Sequence, residues 1–389
     1  MPYYRELFVE LNFQPEALSS LADLQRLPLT RKADIRAHTQ QLRADNAVAL
    51  ERFTTGGSSG EPLIFYRGSE RVSHDVAAKW RATRWWDVDI GDREIVVWGS
   101  PIELGSQDRI RLLRDKILRT ELLSAFEMST ANLLNFTQHI RKFRPRMLFG
   151  YPSSLALMAE YAMNNGYKVD NLGIQVVFVT SERLYEYQRK MIEQAFGAPV
   201  ANGYGGRDAG FIAHECPRGG MHITAEDIVV EIVGEDGQVL AAGEKGEIVI
   251  THLCTGDFPF IRYPTGDVGS LSDDVCACGR GLPLLAEIDG RSTDFVKAVD
   301  GTVLHGLALI YVLRELPQVE MFRIVQESLT TITVQIVTDT SDTVQLEHTI
   351  TEQFRRRLGD SLIVNFEYMD KIGREASGKF RYVVSQLAR

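Results

Sequence analysis

The sequence predicts an α/β protein of two domains. A large domain spans 1–290, with parallel strands covered by helices and a β-rich subdomain at about 211–285, and a small α+β domain spans 291–389. Three observations predict this. The 389 residues exceed one module at roughly 150 residues per domain. Short apolar runs alternate with helix-period stretches as far as Phe196, the rhythm of a parallel sheet. Near Gly219, and again past Gly290-Arg291, that rhythm gives way to shorter strands.

In chain order, Ala17, Leu18, Leu21 and Leu24 share one helical face that stops before Pro28, and Thr30 reads as the cap of a second helix through Ile35. Residues 66–86 and 108–145 read as helices, the latter ended by Pro145. Runs 94–99, 146–150 and 175–180 read as buried strands, with helices over 153–165 and 185–196. Ligands on such sheets bind at the carboxyl ends of strands, which directs attention to the loops after Gly150, Thr180 and Gly203. Residues 228–233, the turn Gly234-Glu235-Asp236-Gly237 and residues 247–251 read as a hairpin. Elements at 294–299, 308–316, 322–326, 331–338, 344–358 and 362–368 complete the small domain.

Composition narrows the function. Apolar residues make up 44% and charged residues 24%, as in ordinary globular chains, so disorder and fibres are excluded. No run approaches the ~20 apolar residues of a membrane helix. Met1-Pro2-Tyr3-Tyr4-Arg5-Glu6 lacks the basic and apolar regions of a secretory signal. The net charge of −9 and the lack of a basic stripe argue against nucleic-acid binding. Four cysteines make no disulfide framework. The expectation is a cytoplasmic protein that binds neither membrane nor nucleic acid.

Two constellations carry chemistry. Thr54, Thr55, Gly56, Gly57, Ser58, Ser59 and Gly60 set three glycines among four hydroxyls, so the backbone can curl and aim N–H and O–H donors at an anion. No Gly-Lys-Ser/Thr follows, so it is not a Walker loop, and alone it would be a plain flexible loop. Cys216 and His222, with Cys276 and Cys278 some fifty residues later, form a Cys₃His set beside Gly219, Gly220 and Gly279. Such a set closes a structural zinc site and would staple a β subdomain with little core of its own. The plainer reading is three unrelated reduced thiols. Cys254 has no partner in the pattern and reads as apolar filler.

Order along the chain sharpens the glycine-rich loop. It is followed by Tyr204-Gly205-Gly206-Arg207-Asp208, by Tyr263-Pro264-Thr265-Gly266-Asp267, by Gly290-Arg291-Ser292-Thr293-Asp294 and by Ser377-Gly378-Lys379-Phe380-Arg381. The five strings in register resemble the adenylate-forming superfamily of acyl-CoA synthetases, adenylation domains and luciferases. The strings 4–8, 27–36 and 150–155, with Glu215-Cys216 before Gly220-Met221-His222, look like its phenylacetate–CoA ligase and CapK-like branch. The resemblance runs over essentially the whole chain. Two departures stand out: Leu63 where many relatives carry lysine, and Thr293 where a hinge carboxylate is usual, with Asp294 adjacent.

The resemblance implies a large adenylate-forming domain, a mobile C-terminal domain, and a specific chemistry. A carboxylate attacks the α-phosphate of ATP, pyrophosphate leaves, and a second nucleophile captures the acyl-adenylate. It implies that Thr54 to Gly60 hold the β- and γ-phosphates, that Tyr204 with Gly205 lies by the adenine, and that Asp208 helps hold Mg²⁺. Asp267 would accept from the ribose hydroxyls, Arg291 would donate near ribose or phosphate, and Ser181 and Glu182 would touch adenine or the acyl group. Lys379 would be the adenylation catalyst, bridging carboxylate and α-phosphate. The acid is expected to be aryl or a small organic acid and CoA the implied acyl acceptor, with an amine, a carrier protein or another biosynthetic nucleophile as the alternative and a degenerate nucleotide-binding scaffold as the reading from another class. The branch also implies a homodimer. His74, His139, His214, His252, His305 and His348 show no spacing with a nucleophile and read as structural. Trp85, Trp86 and Trp98 read as core, and Arg355-Arg356-Arg357 as a solvated helix face.

Overall fold

The computed structural model describes residues 1–54, 63–98, 109–125, 128, 130–291, 295–300, 303–305, 307–373 and 381–387. The chain divides into two compact units, the boundary falling between Ile288 and Asp289.

In the first unit the described residues build an eleven-stranded sheet. Its parallel half comprises β3 (Glu94–Trp98), β4 (Thr120–Ser124), β5 (Met147–Gly150), β6 (Val176–Thr180) and β7 (Val200–Gly206), paired in the spatial order β4-β3-β5-β6-β7. The central strands β5 and β6 are apolar runs buried along their whole length, and β3 is buried along most of its own, as a sheet covered on both faces requires. The connecting helices are α5 (Thr130–Phe143), α6 (Pro152–Asn164) and α7 (Glu186–Phe196). Leu133, Ile140, Leu155, Met158, Ile192 and Phe196 pack with Val177 and Val179 into one core. On another face, Ala82 of α3 (Ser69–Arg84) packs with Phe149 and Phe178, small residues letting the helix lie close.

The β-rich strands do not form a separate sheet. β8 (Gly210–Glu215), β9 (Met221–Ile223), β10 (Ile228–Val233), β11 (Gly246–His252), β12 (Tyr263–Ser272) and β13 (Leu284–Arg291) continue the parallel half beyond β7. The switch is made by the β7–β8 hairpin, which pairs Gly206 with Gly210. A separate two-stranded ribbon joins β1 (Glu51–Thr54) to β2 (Ile64–Arg67). Among its described residues the second unit holds a four-stranded sheet of β16 (Val319–Ser328), β17 (Thr331–Thr338), β18 (Ile363–Tyr368) and β19 (Val383–Ser385), ordered β18-β17-β16-β19. The apolar face of α9 (Thr343–Leu358), with Leu346, Ile350, Phe354 and Leu358, is buried.

Four local expectations are corrected. The helix expected through Ala17 to Leu24 is two 3₁₀ turns, Pro15–Ala17 and Leu21–Arg26, because the amides of Ser19 and Ser20 both bond the Asp23 carboxylate at 2.9 Å and break the ladder. Thr30 is no cap: its amide bonds the Arg262 carbonyl, and the next helix starts at Lys32, with Asp34 accepting from Arg31 N at 2.8 Å. Tyr66 belongs to β2, and α3 begins at Ser69. Residues 108–145 are not one helix; Arg119 at φ +57° ends the first, and β4 follows beside β3.

Candidate functional site

Three of the five sequence strings meet by direct hydrogen bonds. Tyr204, on β7, donates its hydroxyl to Asp267 Oδ2 at 2.9 Å and lies 3.4 Å from Thr265 Oγ1. Tyr263, fully buried at the start of β12, donates to Asp208 Oδ2 at 2.5 Å. Arg207 reaches the carbonyl of Thr54, the last residue of β1, at 3.3 Å. Thr54, Tyr204, Asp208 and Asp267 therefore share one locality. Thr55, Gly56, Gly57, Ser58, Ser59, Gly60 and Lys379 lie outside the described residues, as do Thr293 and Asp294. Arg291 ends β13.

Local structure explains the convergence. Gly205 carries no Cβ where one would overlap the Gly210 carbonyl oxygen, so the β7–β8 hairpin closes only on glycine and holds Tyr204 on β7 and Asp208 in the turn that follows. Gly266 sits at φ +84°, a conformation glycine adopts without strain; Asp267 follows, its amide bonding Thr265 Oγ1 at 3.1 Å. The N-terminal strings brace the segment that leads into β12. Tyr4 OH donates to the Pro259 carbonyl at 3.1 Å, and Arg262, paired with Glu231 at 3.0 Å, reaches the Leu27 carbonyl at 2.7 Å.

Ser181 and Glu182 follow β6, whose Thr180 is paired with Gly203 of β7. Ser181 holds φ +70°, strained for a side chain other than glycine. Glu182 accepts from Ser153 N at 3.2 Å in the first turn of α6, where a carboxylate complements the helix dipole.

Sequence reasoning missed the cations. Arg71, buried on α3, donates to the Asp208 carbonyl at 3.3 Å and contacts His252 at 2.8 Å, and Arg67 shares Asp75 with it, each at 3.4 Å. Burial lowers the Arg67 pKa; Asp75 opposes that shift, and the guanidinium groups of Arg71 and Arg207 add to it. The charges of Arg71 and Arg207 reach Arg67, and positive charge gathered in this way favours an anion. Arginine on a helix gives no periodic signal distinguishing it from a solvated face, so only the fold reveals it.

The Cys₃His set also converges. Donor atoms of Cys216, His222, Cys276 and Cys278 lie within 4.8 Å of one another, Cys216 and His222 being buried. Cys216 Sγ is 3.6 Å from Cys276 Sγ, and His222 Nε2 is 3.1 Å from Cys278 Sγ. A zinc tetrahedron with Zn–S near 2.3 Å has an S–S edge of about 3.8 Å. His222 Nδ1 faces the Leu282 carbonyl at 3.4 Å, leaving Nε2 as the ligand atom. A Cβ on Gly220 would press on Cys276 Sγ. Burial pushes the Cys216 thiol up; at Cys278 burial also opposes ionisation, but hydrogen bonds from Arg280 bring it down to about 6.

Cys254 is not buried filler. It is half-exposed, and its thiol donates to the Glu226 carbonyl at 3.4 Å. His214 and His252 are buried, whereas His74 pairs with Asp227 at 2.7 Å.

Known proteins share this arrangement of elements. Residues 297–386 match the family model of the CapK C-terminal domain. Protein CapK of Staphylococcus aureus is 23% identical over 99% of this chain and 85% of its own length. A phenylacetate-coenzyme A ligase of Thermus thermophilus is 25% identical over 93% of this chain and 80% of its own. Among solved structures, 2-hydroxyisobutyryl-CoA ligase in the postadenylation state with 2-HIB-AMP superimposes with a TM-score of 0.79, at 21% identity, over 99% of this chain and 85% of that one. It shares the fold.

Proposed function

From a chain that belongs to the adenylate-forming superfamily, in its phenylacetate–CoA ligase and CapK-like branch, we propose an ATP-dependent, AMP-forming ligase that adenylates a carboxylic acid and transfers the acyl group to CoA. The observation that carries this reading is the hydrogen-bonded meeting of Thr54, Tyr204, Asp208 and Asp267 beside Arg67, Arg71 and Arg207. A carboxylate oxygen of the acid attacks the α-phosphorus, the α–β phosphoanhydride bond breaks, and pyrophosphate departs. The CoA sulfur then attacks the acyl carbon and AMP leaves.

Each residue's role in this reading is one of charge or alignment. Asp267 accepts from the ribose hydroxyls, and Tyr204, tethered to it, presents its ring to the base. Ser181, Glu182 and Gly205 border the nucleotide. Thr54, Thr55, Gly56, Gly57, Ser58, Ser59 and Gly60 take the β- and γ-phosphates, and Arg291 and Lys379 supply positive charge at ribose and α-phosphate. Asp208 offers Mg²⁺ a hard oxygen ligand whose orientation Tyr263 sets. The bound ion neutralises charge on the phosphates. Cys216, His222, Cys276 and Cys278 fit zinc as a closed structural site that ties β8 and β9 to the segment before β13.

An amine or carrier protein as acceptor is not favoured, because the phenylacetate–CoA ligase resemblance extends over 93% of the chain. The branch also points to a cytoplasmic homodimer, checked by size-exclusion with light scattering. The deciding experiment is acid-dependent ATP–pyrophosphate exchange, then product analysis with and without CoA. We expect exchange with one class of acid and an acyl-CoA product. No exchange across aryl, alkyl and amino acids would favour a degenerate scaffold. Lys379→Ala is expected to lower the rate by about 100-fold or more.

A further inference from the structure

We propose that His74, Asp227 and Cys254 form a second, exchangeable site for a zinc-like divalent cation, separate from the Cys₃His cluster. The three donors come from distant stretches of chain: α3, the turn between β9 and β10, and the segment after β11. Their ligand atoms lie within 4.8 Å of one another, with His74 Nδ1 2.7 Å from Asp227 Oδ1.

The backbone beneath them is tied down. Asp227 N donates to the Thr224 carbonyl at 3.0 Å, and Leu253 N to the Asp227 carbonyl at 2.8 Å. The Cys254 thiol bonds the Glu226 carbonyl at 3.4 Å. A cation therefore orders side chains alone, which limits the entropic cost of binding. The charge is also of the right sign, since Asp227, Glu70 and Glu226 all face the thiol. A nitrogen, oxygen and sulfur donor set suits zinc, cobalt or nickel and discriminates against magnesium and calcium.

Exposure separates this site from the closed one. The His74 side chain is 42% exposed and Asp227 16%, so water can fill the remaining coordination positions and the ion can exchange. Trp85, just past the end of α3, packs on His222 of the Cys₃His set. Eleven residues of helical rise, about 16 Å, separate Trp85 from His74. Binding releases the Cys254 thiol proton to solvent and changes no oxidation state. One turn before His74, Arg71 contacts Asp208, so an ion here would steady the helix that braces the proposed nucleotide site.

The test is a calorimetric zinc titration of the full chain after dialysis against a weak chelator. Wild type should take up one equivalent more than Cys254→Ser or His74→Gln, or bind it at least tenfold more tightly. Both variants should keep the wild-type melting temperature and exchange activity without added zinc. Cobalt added to the zinc-retaining wild type gives a readout that needs no variant: a charge-transfer band with the intensity of one thiolate rather than three. Equal uptake by wild type and both variants, or no thiolate band in the wild type, overturns the proposal. The ligase reading is judged separately, by the exchange assay.

Discussion

The Tyr204–Asp267 pair joins two strings that stand 63 residues apart, and it makes a graded prediction. Tyr204→Phe keeps the ring and removes a single hydrogen bond, a change worth about 1 kcal/mol, so the KM for ATP should rise roughly fivefold with kcat little altered. Asp267→Asn removes a charged acceptor, worth about 1.5–3 kcal/mol, and should lower kcat/KM for ATP about 10- to 100-fold. Steady-state kinetics of the two variants check this. Equal small effects would mean that Asp267 does not meet the ribose. Tyr263→Phe should instead raise the magnesium concentration needed for half-maximal rate, since the lost hydroxyl orients Asp208.

At the scale of elements, the β7–β8 hairpin and the proposed Cys₃His staple each make a prediction. Gly205→Ala would drive a methyl into the Gly210 carbonyl oxygen and force the hairpin apart, costing about 1–3 kcal/mol and weakening ATP binding. Thermal melts with and without ATP measure both effects; an unchanged melt would mean that the hairpin yields without cost. Zinc removal should act on β8, β9 and the start of β13. Cys276→Ser or prolonged chelation should lower the first transition by about 2 kcal/mol or more, roughly 4–8 °C. Metal analysis giving well under one zinc per chain would remove the staple. β4 shows how an element escapes a sequence reading: Thr120-Glu121-Leu122-Leu123-Ser124 carries no strong strand propensity, and it becomes a strand because β3 offers it an edge.

Across the whole molecule, two buried histidines make stability depend on pH. Burial holds the His214 imidazole, packed between Phe178 and Phe211, down at about 3. Burial first, and Arg71 second, keep His252 well below its ordinary value. In the unfolded chain both titrate near 6.5. Between these values the unfolded state binds more protons, so the stabilisation is complete above about 6.5 and is lost as pH falls through the window, by about 1.4 kcal/mol per unit for each histidine. Denaturation midpoints from pH 7 to 5 should fall accordingly, and His214→Phe should flatten the slope. An identical slope in the variant would exclude His214 as a source.

Much of this protein could be read in its residues. Apolar runs between helix-period stretches announced the parallel half of the sheet, because such patterns express which faces must leave water. Short strings in chain order announced the nucleotide chemistry, and the Cys and His pairs announced a donor set that the fold brings together, because side-chain chemistry is written in the sequence. What required tertiary structure is everything that depends on distant partners. That the β-rich strands extend one sheet, that the charges of Arg71 and Arg207 reach Arg67, and that Cys254 finds His74 and Asp227 are decided by strand pairing and helix docking. A single side chain carries its chemistry in its own formula, but its neighbours come from the fold.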